Sequence, residues 1–357
     1  MSEPRIAARA GRPPHIALLA YDGVLGSAVA GPFDVLGGAG ILWPQFRDAI
    51  DGDPVFTLST RALAPGTVEC GFGLKLAITQ ALDDPPVPDV VIVPTFVPPT
   101  PWQERLALHP RQQALLPWLV ERARAGTIMC STSTGSLLLA QAGLLEGLEA
   151  TTHWSLLERA RLWFPGTRFR LDRALVASGA NARIVTAGGG TCWQDLVLHL
   201  IARFAGRVVA GQTARMFTIF GRHGGQLPFA EWLPRLDHGD ASVLAAQRWM
   251  NDDHRGNAGL AGAIAASGLA ERTFKRRFRL ATGLPPNEYL QRVRIQQARF
   301  LLETSRLGVE DIAAEVGYGD VAFFRTLFAR IVGTTPAEYR RRFALPLDEL
   351  ESASTRR

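Results

Sequence analysis

A chain of 357 residues is too long for one ordinary domain and suits two or three. Hydrophobic residues make up 47% of it, which excludes global disorder, and no run of eighteen clean apolar residues offers a membrane-spanning helix. The formal charge is +6, but residues 255–342 hold fifteen Arg or Lys against eight Asp or Glu, so +7 sits there and the remainder is near −1. Positive charge gathered in one region attracts a phosphate backbone.

Residues 1–14 read as a basic, loose tail without the apolar core of a secretory signal. Residues 15–21 read as a buried strand, followed by a helical region around 32–39 and a strand over 55–59. The β-branched run at 89–94 suits a strand covered on both faces. A helix is expected near 111–125, then a strand over 127–130, a glycine turn and a helix over 135–142. Strands at 175–178 and 184–186 precede helices near 191–203 and 207–218. This alternation predicts a doubly wound α/β domain with a mostly parallel sheet over residues 15–221. Glycine, proline, histidine and charge break the pattern over 222–240, which reads as the interdomain connection, with Trp232 and Leu233 as candidates to dock on a neighbour. Residues 241–343 carry only helical patterns, an all-α domain with two helix-turn-helix units, and 344–357 form a polar tail. Cys70, Cys130 and Cys192 have neither metal-ligand spacing nor a disulfide framework, so a reducing, cytoplasmic location is expected, with no metal and no cofactor.

Within residues 259–278, Ser267 and Gly268 separate two short helix candidates, and glycine supplies the left-handed conformation a tight turn needs. Phe274 and Phe278 are four apart and share a core face, while Arg272, Lys275, Arg276 and Arg279 occupy others. A helix with an aromatic face and a basic exposed face suits the major groove, where arginine reads guanine edges. The arrangement returns fifty residues later: a short helix and turn over 309–318, Asp320 as a cap, Phe324 and Phe328 on a core face, and Arg325 outside. Related turns, 283–289 and 333–339, close both units, which argues for internal duplication. The helical stretch 289–304 between them spans about 24 Å, a rigid connector able to set two helices into successive groove segments about 34 Å apart.

Residues 298–343, preceded by the segment 271–278, resemble the AraC/XylS family of transcription regulators. The resemblance implies that Arg272, Thr273, Lys275 and Arg276 lie on a first recognition helix and Val321, Ala322, Arg325 and Thr326 on or beside a second. Thr326 stands where many relatives carry arginine, and Ala270 replaces a frequent capping serine. Residues 133–154 and 186–206 resemble the DJ-1/PfpI superfamily, class I glutamine-amidotransferase-like, and the two halves together look like the GlxA-type branch of AraC regulators.

A strand ending near Cys130 and the hydroxyl-rich turn 131–136 before a helix form an elbow that can expose a nucleophile and aim amides at an oxyanion. By resemblance, Ser133 stands where catalytic relatives carry cysteine, His153 matches the superfamily histidine, and Ala28 replaces the family acid. Asp22 is a candidate to approach this pocket, and Asp195 reads as a partner for local donors. No catalytic residue is therefore expected, and Cys130, Ser133 and His153 become a candidate ligand pocket. The alternative is an amidase or hydrolase fused to a DNA-binding domain, with Ser133 as nucleophile and His153 as base. The glycine run at 188–190 lacks dinucleotide-binding spacing and reads as close packing or an anion-facing turn. The expected partners are a duplex operator, a second copy of the chain in a homodimer, a small-molecule effector and the transcription machinery, with no membrane.

Overall fold

The computed structural model describes residues 12–46, 52–98, 106–221, 225–252 and 259–344. Most of both expected tails and residues 222–224 of the expected connection lie outside the described residues. The chain divides into two compact units between Gln226 and Leu227.

The first unit opens with β1 (His15–Leu19), buried along its whole length. Helices α1 (Ser27–Gly38) and α2 (Leu42–Gln45) lead to β2 (Thr57–Ala62). A hairpin, β3 (Gly66–Glu69) and β4 (Lys75–Ile78), and the short β5 (Gln80–Ala81) come before β6 (Val90–Val93). Val90, Val91, Ile92 and Val93 are all inaccessible to solvent, as β-branched residues covered on both faces should be. Helices α3 (Pro110–Gln113) and α4 (Leu116–Arg124) then reach β7 (Ile128–Thr132) and α5 (Gly135–Gln141). A two-residue pairing of β8 (Glu149–Ala150) with β9 (Arg168–Phe169) brackets α6 (Leu157–Trp163). The unit continues through β10 (Leu175–Ser178), β11 (Ile184–Ala187), α7 (Trp193–Ala205) and α8 (Arg207–Met216).

Seven strands form one mixed sheet in the order β10-β11-β7-β6-β1-β2-β5. Every neighbouring pair is parallel except β10 with β11. The chain starts in the middle at β1, builds outward through β2 and β5, then returns to build the other half from β6. That reversal between β1 and β6 is the kind of switch point at which open α/β sheets place a ligand crevice, outside the carboxyl ends of the strands.

Three of the differences from expectation bear on how the sequence is read. The helix expected over 111–125 is two, because Pro110 and Pro117 each stand in a first turn, where a missing amide costs nothing. Helix α1 begins at Ser27 and carries Pro32 inside it. The β3–β4 hairpin was not expected at all, since only Val68 and Ile78 of its eight residues are buried and no apolar run announces it.

The second unit holds α9 (Ala241–Asp252), α10 (Gly259–Ser267), α11 (Glu271–Thr282) and α12 (Pro286–Thr304), then α13 (Val309–Glu315), α14 (Val321–Val332) and α15 (Pro336–Phe343). Its described residues include no strand. Two apolar cores lie along α12, whose 19 residues run about 28 Å at helical rise. One core gathers Val243, Phe274, Phe278 and Tyr289; the other gathers Ala298, Ile312, Phe324, Phe328 and Tyr339. The repeat at fifty residues is therefore physical: Phe278 meets Tyr289 edge-on at 5.2 Å, and Phe328 meets Tyr339 likewise at 5.6 Å. Gly283 and Gly333 end α11 and α14 in the left-handed conformation, at φ +77° and +78°.

Candidate nucleic-acid interface

Gly268, at φ +65°, turns the chain between α10 and α11. Ser267 fixes that turn: its hydroxyl donates to the Ile264 carbonyl at 2.7 Å and accepts from the Leu269 amide at 3.1 Å. Phe274 and Phe278 anchor α11 with no exposure, and the opposite face follows from their spacing. Arg272, Lys275, Arg276 and Arg279 are exposed and Thr273 is half-buried. Lys275 pairs with Glu271 one turn back at 2.5 Å, which holds the Glu271 carboxyl below its usual range. Arg272 and Arg276 carry no ion pair among the described residues, so both guanidinium groups face water. Arg277 is different. It grips Asp240 with two nitrogens, at 2.7 and 2.9 Å, and this basic residue is committed inside the unit.

The second helix pair is built alike with different chemistry. Gly317, at φ +85°, makes the turn, and Arg294 holds it by donating to the Gly317 carbonyl at 3.1 Å. Asp320 caps α14, one carboxylate oxygen accepting from the Ala322 and Phe323 amides at 2.9 and 3.0 Å. Phe324 and Phe328 are buried; Ala322, Arg325 and Thr326 are exposed and Val321 is half-buried. Arg325 lies 3.5 Å from Glu310, and the Thr326 hydroxyl donates back to the Ala322 carbonyl at 3.0 Å. Phe323 is 49% exposed on this same face, an apolar contact surface that sequence reasoning missed. Its place one residue before the buried Phe324 was the available signal, since successive helical side chains point about 100° apart.

In the first unit β7 runs into the expected elbow. Ser133 holds φ +51°, and a Cβ on Gly135 would meet the Val93 carbonyl oxygen at 2.2 Å, so only glycine fits where α5 begins. The elbow does not expose its serine. Ser133 is fully buried, and its hydroxyl has no hydrogen-bond partner among the described residues. Its amide donates to the Ala187 and Gly188 carbonyls at 2.8 and 3.0 Å, which fixes the elbow against β11 and the glycine run. Nor is Ser133 hydrogen-bonded to His153. The His153 Nδ1 accepts from the Ser155 amide at 3.1 Å, which leaves the proton of a neutral ring on Nε2, a donor rather than a base. Burial lowers the His153 pKa and favours that neutral form. Cys130 is buried in β7 and its thiol is pushed up to about 12 by desolvation, so it stays protonated. Ala28 is buried in α1, and Asp22 is committed to Arg111 at 2.7 Å. The glycine run at 188–190 packs closely: a Cβ on Gly189 would meet His153 at 2.3 Å, and one on Gly188 would meet Gln226 at 2.3 Å.

Gln226 is the residue of this region that sequence reasoning missed. Its side chain is 2% exposed and joins separate segments. Oε1 accepts from the Gly189 amide at 2.8 Å and the Trp154 amide at 3.2 Å. Nε2 donates to the Thr151 hydroxyl at 3.0 Å and the Thr152 carbonyl at 2.9 Å. The only local hint was the glycine before it, which turns at φ +60° against the Asp172 carbonyl.

A family model described as a helix-turn-helix domain matches residues 264–342. Over 292 residues the chain is 25% identical to the HTH-type transcriptional regulator GlxA of Rhizobium meliloti (strain 1021), covering 82% of this chain and 87% of that protein. It is 24% identical over 301 residues to the HTH-type transcriptional regulator GbdR of Pseudomonas aeruginosa (strain UCBPP-PA14), covering 83% and 78%. A solved structure of an AraC family transcriptional regulator from Pseudomonas putida, 17% identical, covers 57% of this chain and all of that one with a TM-score of 0.44. The molecule thus combines a mixed α/β sheet unit with a mostly helical unit that contains a helix-turn-helix. The chain is similar over most of its length to HTH-type transcriptional regulators, GlxA among them, and residues 264–342 carry the helix-turn-helix match. No described helix is long and apolar enough to cross a membrane, and no described group of three or more His, Cys, Asp or Glu is placed to hold a metal.

Proposed function

We propose that the chain is a sequence-specific DNA-binding transcription regulator with two helix-turn-helix readers, α10–α11 and α13–α14, carried by the spine α12. The observation that carries this reading is the pair of aromatic-backed helices fifty residues apart, each seated in its own core along one helix. On α11, Arg272, Thr273, Lys275 and Arg276 face the duplex. On α14, Val321, Ala322, Arg325 and Thr326 do so. The reading divides the chain into a sheet domain over 15–221, a connection over 222–240 and a reader over 241–343. The sheet domain, DJ-1/PfpI-like in its elbow, serves as a sensing or dimerising platform rather than a catalyst, and Cys130, Ser133 and His153 line its effector site. What supports a non-catalytic role is a fully buried Ser133 hydroxyl that makes no hydrogen bond to His153, and a His153 Nδ1 already taken by the Ser155 amide. The working form is a cytoplasmic homodimer on an operator.

Selection of genomic duplexes by the full chain at fixed salt tests the reading, and an enriched operator is the expected outcome. Arg272→Ala, Lys275→Ala and Arg325→Ala should each weaken binding to it, a base-reading side chain by about 1–3 kcal/mol at one position and a phosphate contact evenly across sequences. Unchanged operator binding by all three folded variants would reject these faces.

A further inference from the structure

We propose that α14 reads thymine, with Phe323 as the specificity-determining residue that packs on C5-methyl groups in the major groove; the inference rests on the DNA-binding reading. The outward face of α14 is poor in hydrogen-bonding groups. Ala322 and Phe323 are exposed and Val321 is half-buried, three apolar side chains in the turn that follows the Asp320 cap. The Thr326 hydroxyl gives its proton to the Ala322 carbonyl at 3.0 Å, and Arg325 is drawn to within 3.5 Å of Glu310. The fifty-residue offset makes the contrast with α11 exact in position. Ala322 stands where α11 carries Arg272, Phe323 where it carries Thr273, and Thr326 where it carries Arg276. Guanidinium groups suit the O6 and N7 acceptors of guanine, and a bare apolar face suits neither of these. Thymine presents a methyl group to the major groove, which guanine, adenine and cytosine do not, and Phe and Ala side chains make apolar contact with it.

Phe323 is 49% exposed, yet its ring is held in place. It lies 5.9 Å from the Tyr318 ring, and the Arg294 guanidinium sits 5.4 Å from the other ring of that pair, Tyr318 itself. Arg294 also fixes the turn before α14 through the Gly317 carbonyl. A ring set in advance loses little freedom on meeting a base. Nor does Phe323 share the cover that this unit gives its other aromatic clusters. That cover is a strap, residues 227–235. Arg299, near the middle of α12, donates to the Pro228 carbonyl at 3.1 Å and to the Ala230 carbonyl, and its Nε bonds the Tyr339 hydroxyl at 2.9 Å. Phe229 meets Phe343 edge-on at 5.2 Å, and Trp232 lies 4.8 Å from Tyr289. The strap thus roofs aromatic residues of α12 and α15, while Phe323 stays open beside Ala322 and Arg325 on the reading face.

The test uses the full chain, a duplex enriched by the selection above, and copies of it in which deoxyuridine replaces thymidine one position at a time. Uracil keeps the hydrogen-bonding groups of thymine and lacks only the C5 methyl. At one or two positions the replacement should weaken wild-type binding about threefold to fivefold, the worth of one buried methyl group. Phe323→Ala should bind the thymine duplex more weakly by a similar factor and no longer distinguish thymine from uracil at those positions. Arg272→Ala, on the other helix, should keep the full thymine–uracil difference. Phe323→Ser takes the place of the alanine variant if that one fails to fold. A thymine–uracil difference undiminished in a folded Phe323 variant, or lost in Arg272→Ala, overturns the proposal. A chain that enriches no duplex sinks the DNA-binding reading and this inference together; an enriched duplex bound equally well with uracil at every position sinks this inference alone.

Discussion

His153 sits where burial, not a charged neighbour, sets its protonation. Its folded pKa lies below the ordinary histidine value of 6.5, so the folded state favours the neutral ring more than the unfolded chain does. The stability this gives is present above the ordinary value and is lost as pH falls through the folded one. Denaturant midpoints taken from pH 7 to pH 5 should therefore decline, and His153→Gln should flatten that decline. A variant curve parallel to wild type would show that another group titrates there. The elbow around this residue was half legible in the sequence. Residue types at 131–136 announced a turn between a strand and a helix, and that turn exists. They could not announce that Ser133 points into protein, because burial depends on β11 and the glycine turn some fifty residues away. Gln226 was illegible for the same reason: its side-chain partners lie 37 to 75 residues back along the chain.

At the scale of elements, α11 and α14 differ at their starts. Asp320 accepts from two amides of α14, whereas Ala270 precedes α11 with no side-chain cap. Asp320→Ala should lower stability by about 1 kcal/mol, and Ala270→Ser should raise it by a similar amount, as read from thermal or urea unfolding of the full chain. An unchanged Asp320→Ala variant would mean that packing of Phe324 and Phe328 alone defines the start of α14. The helices themselves were readable because aromatic residues four apart leave a strong periodic trace. The same test failed for the β3–β4 hairpin, whose strands are four residues each and mostly exposed. It failed at Pro32 too, where a residue that usually starts or stops helices sits inside α1, held by the surrounding sheet unit. Composition read 222–240 as the connection, and the two compact units divide after Gln226.

Across the whole molecule, the excess positive charge of the C-terminal region overstates what is free to meet a duplex. Arg277 is held by Asp240, Arg292 pairs with Glu288 at 2.9 Å, and Arg299 is spent on the strap. The salt dependence of operator binding should thus report fewer phosphates than the basic residues would suggest, each adding about 0.9 to the logarithmic slope. Arg272→Ala should lower that slope by about one if the guanidinium meets a phosphate and leave it unchanged if it reads a base. A slope that counts every basic residue would show that the internal pairs open on DNA.

The strap also decides where this protein can be cut. Trp232 over Tyr289 and Phe229 over Phe343 are roofing for two aromatic clusters. A gene fragment begun at codon 241 would strip that roofing and yield a sticky, poorly behaved product, however complete its helices. One begun at codon 227 brings its own cover. Grafting this reader onto a foreign sensor succeeds or fails on those fourteen codons.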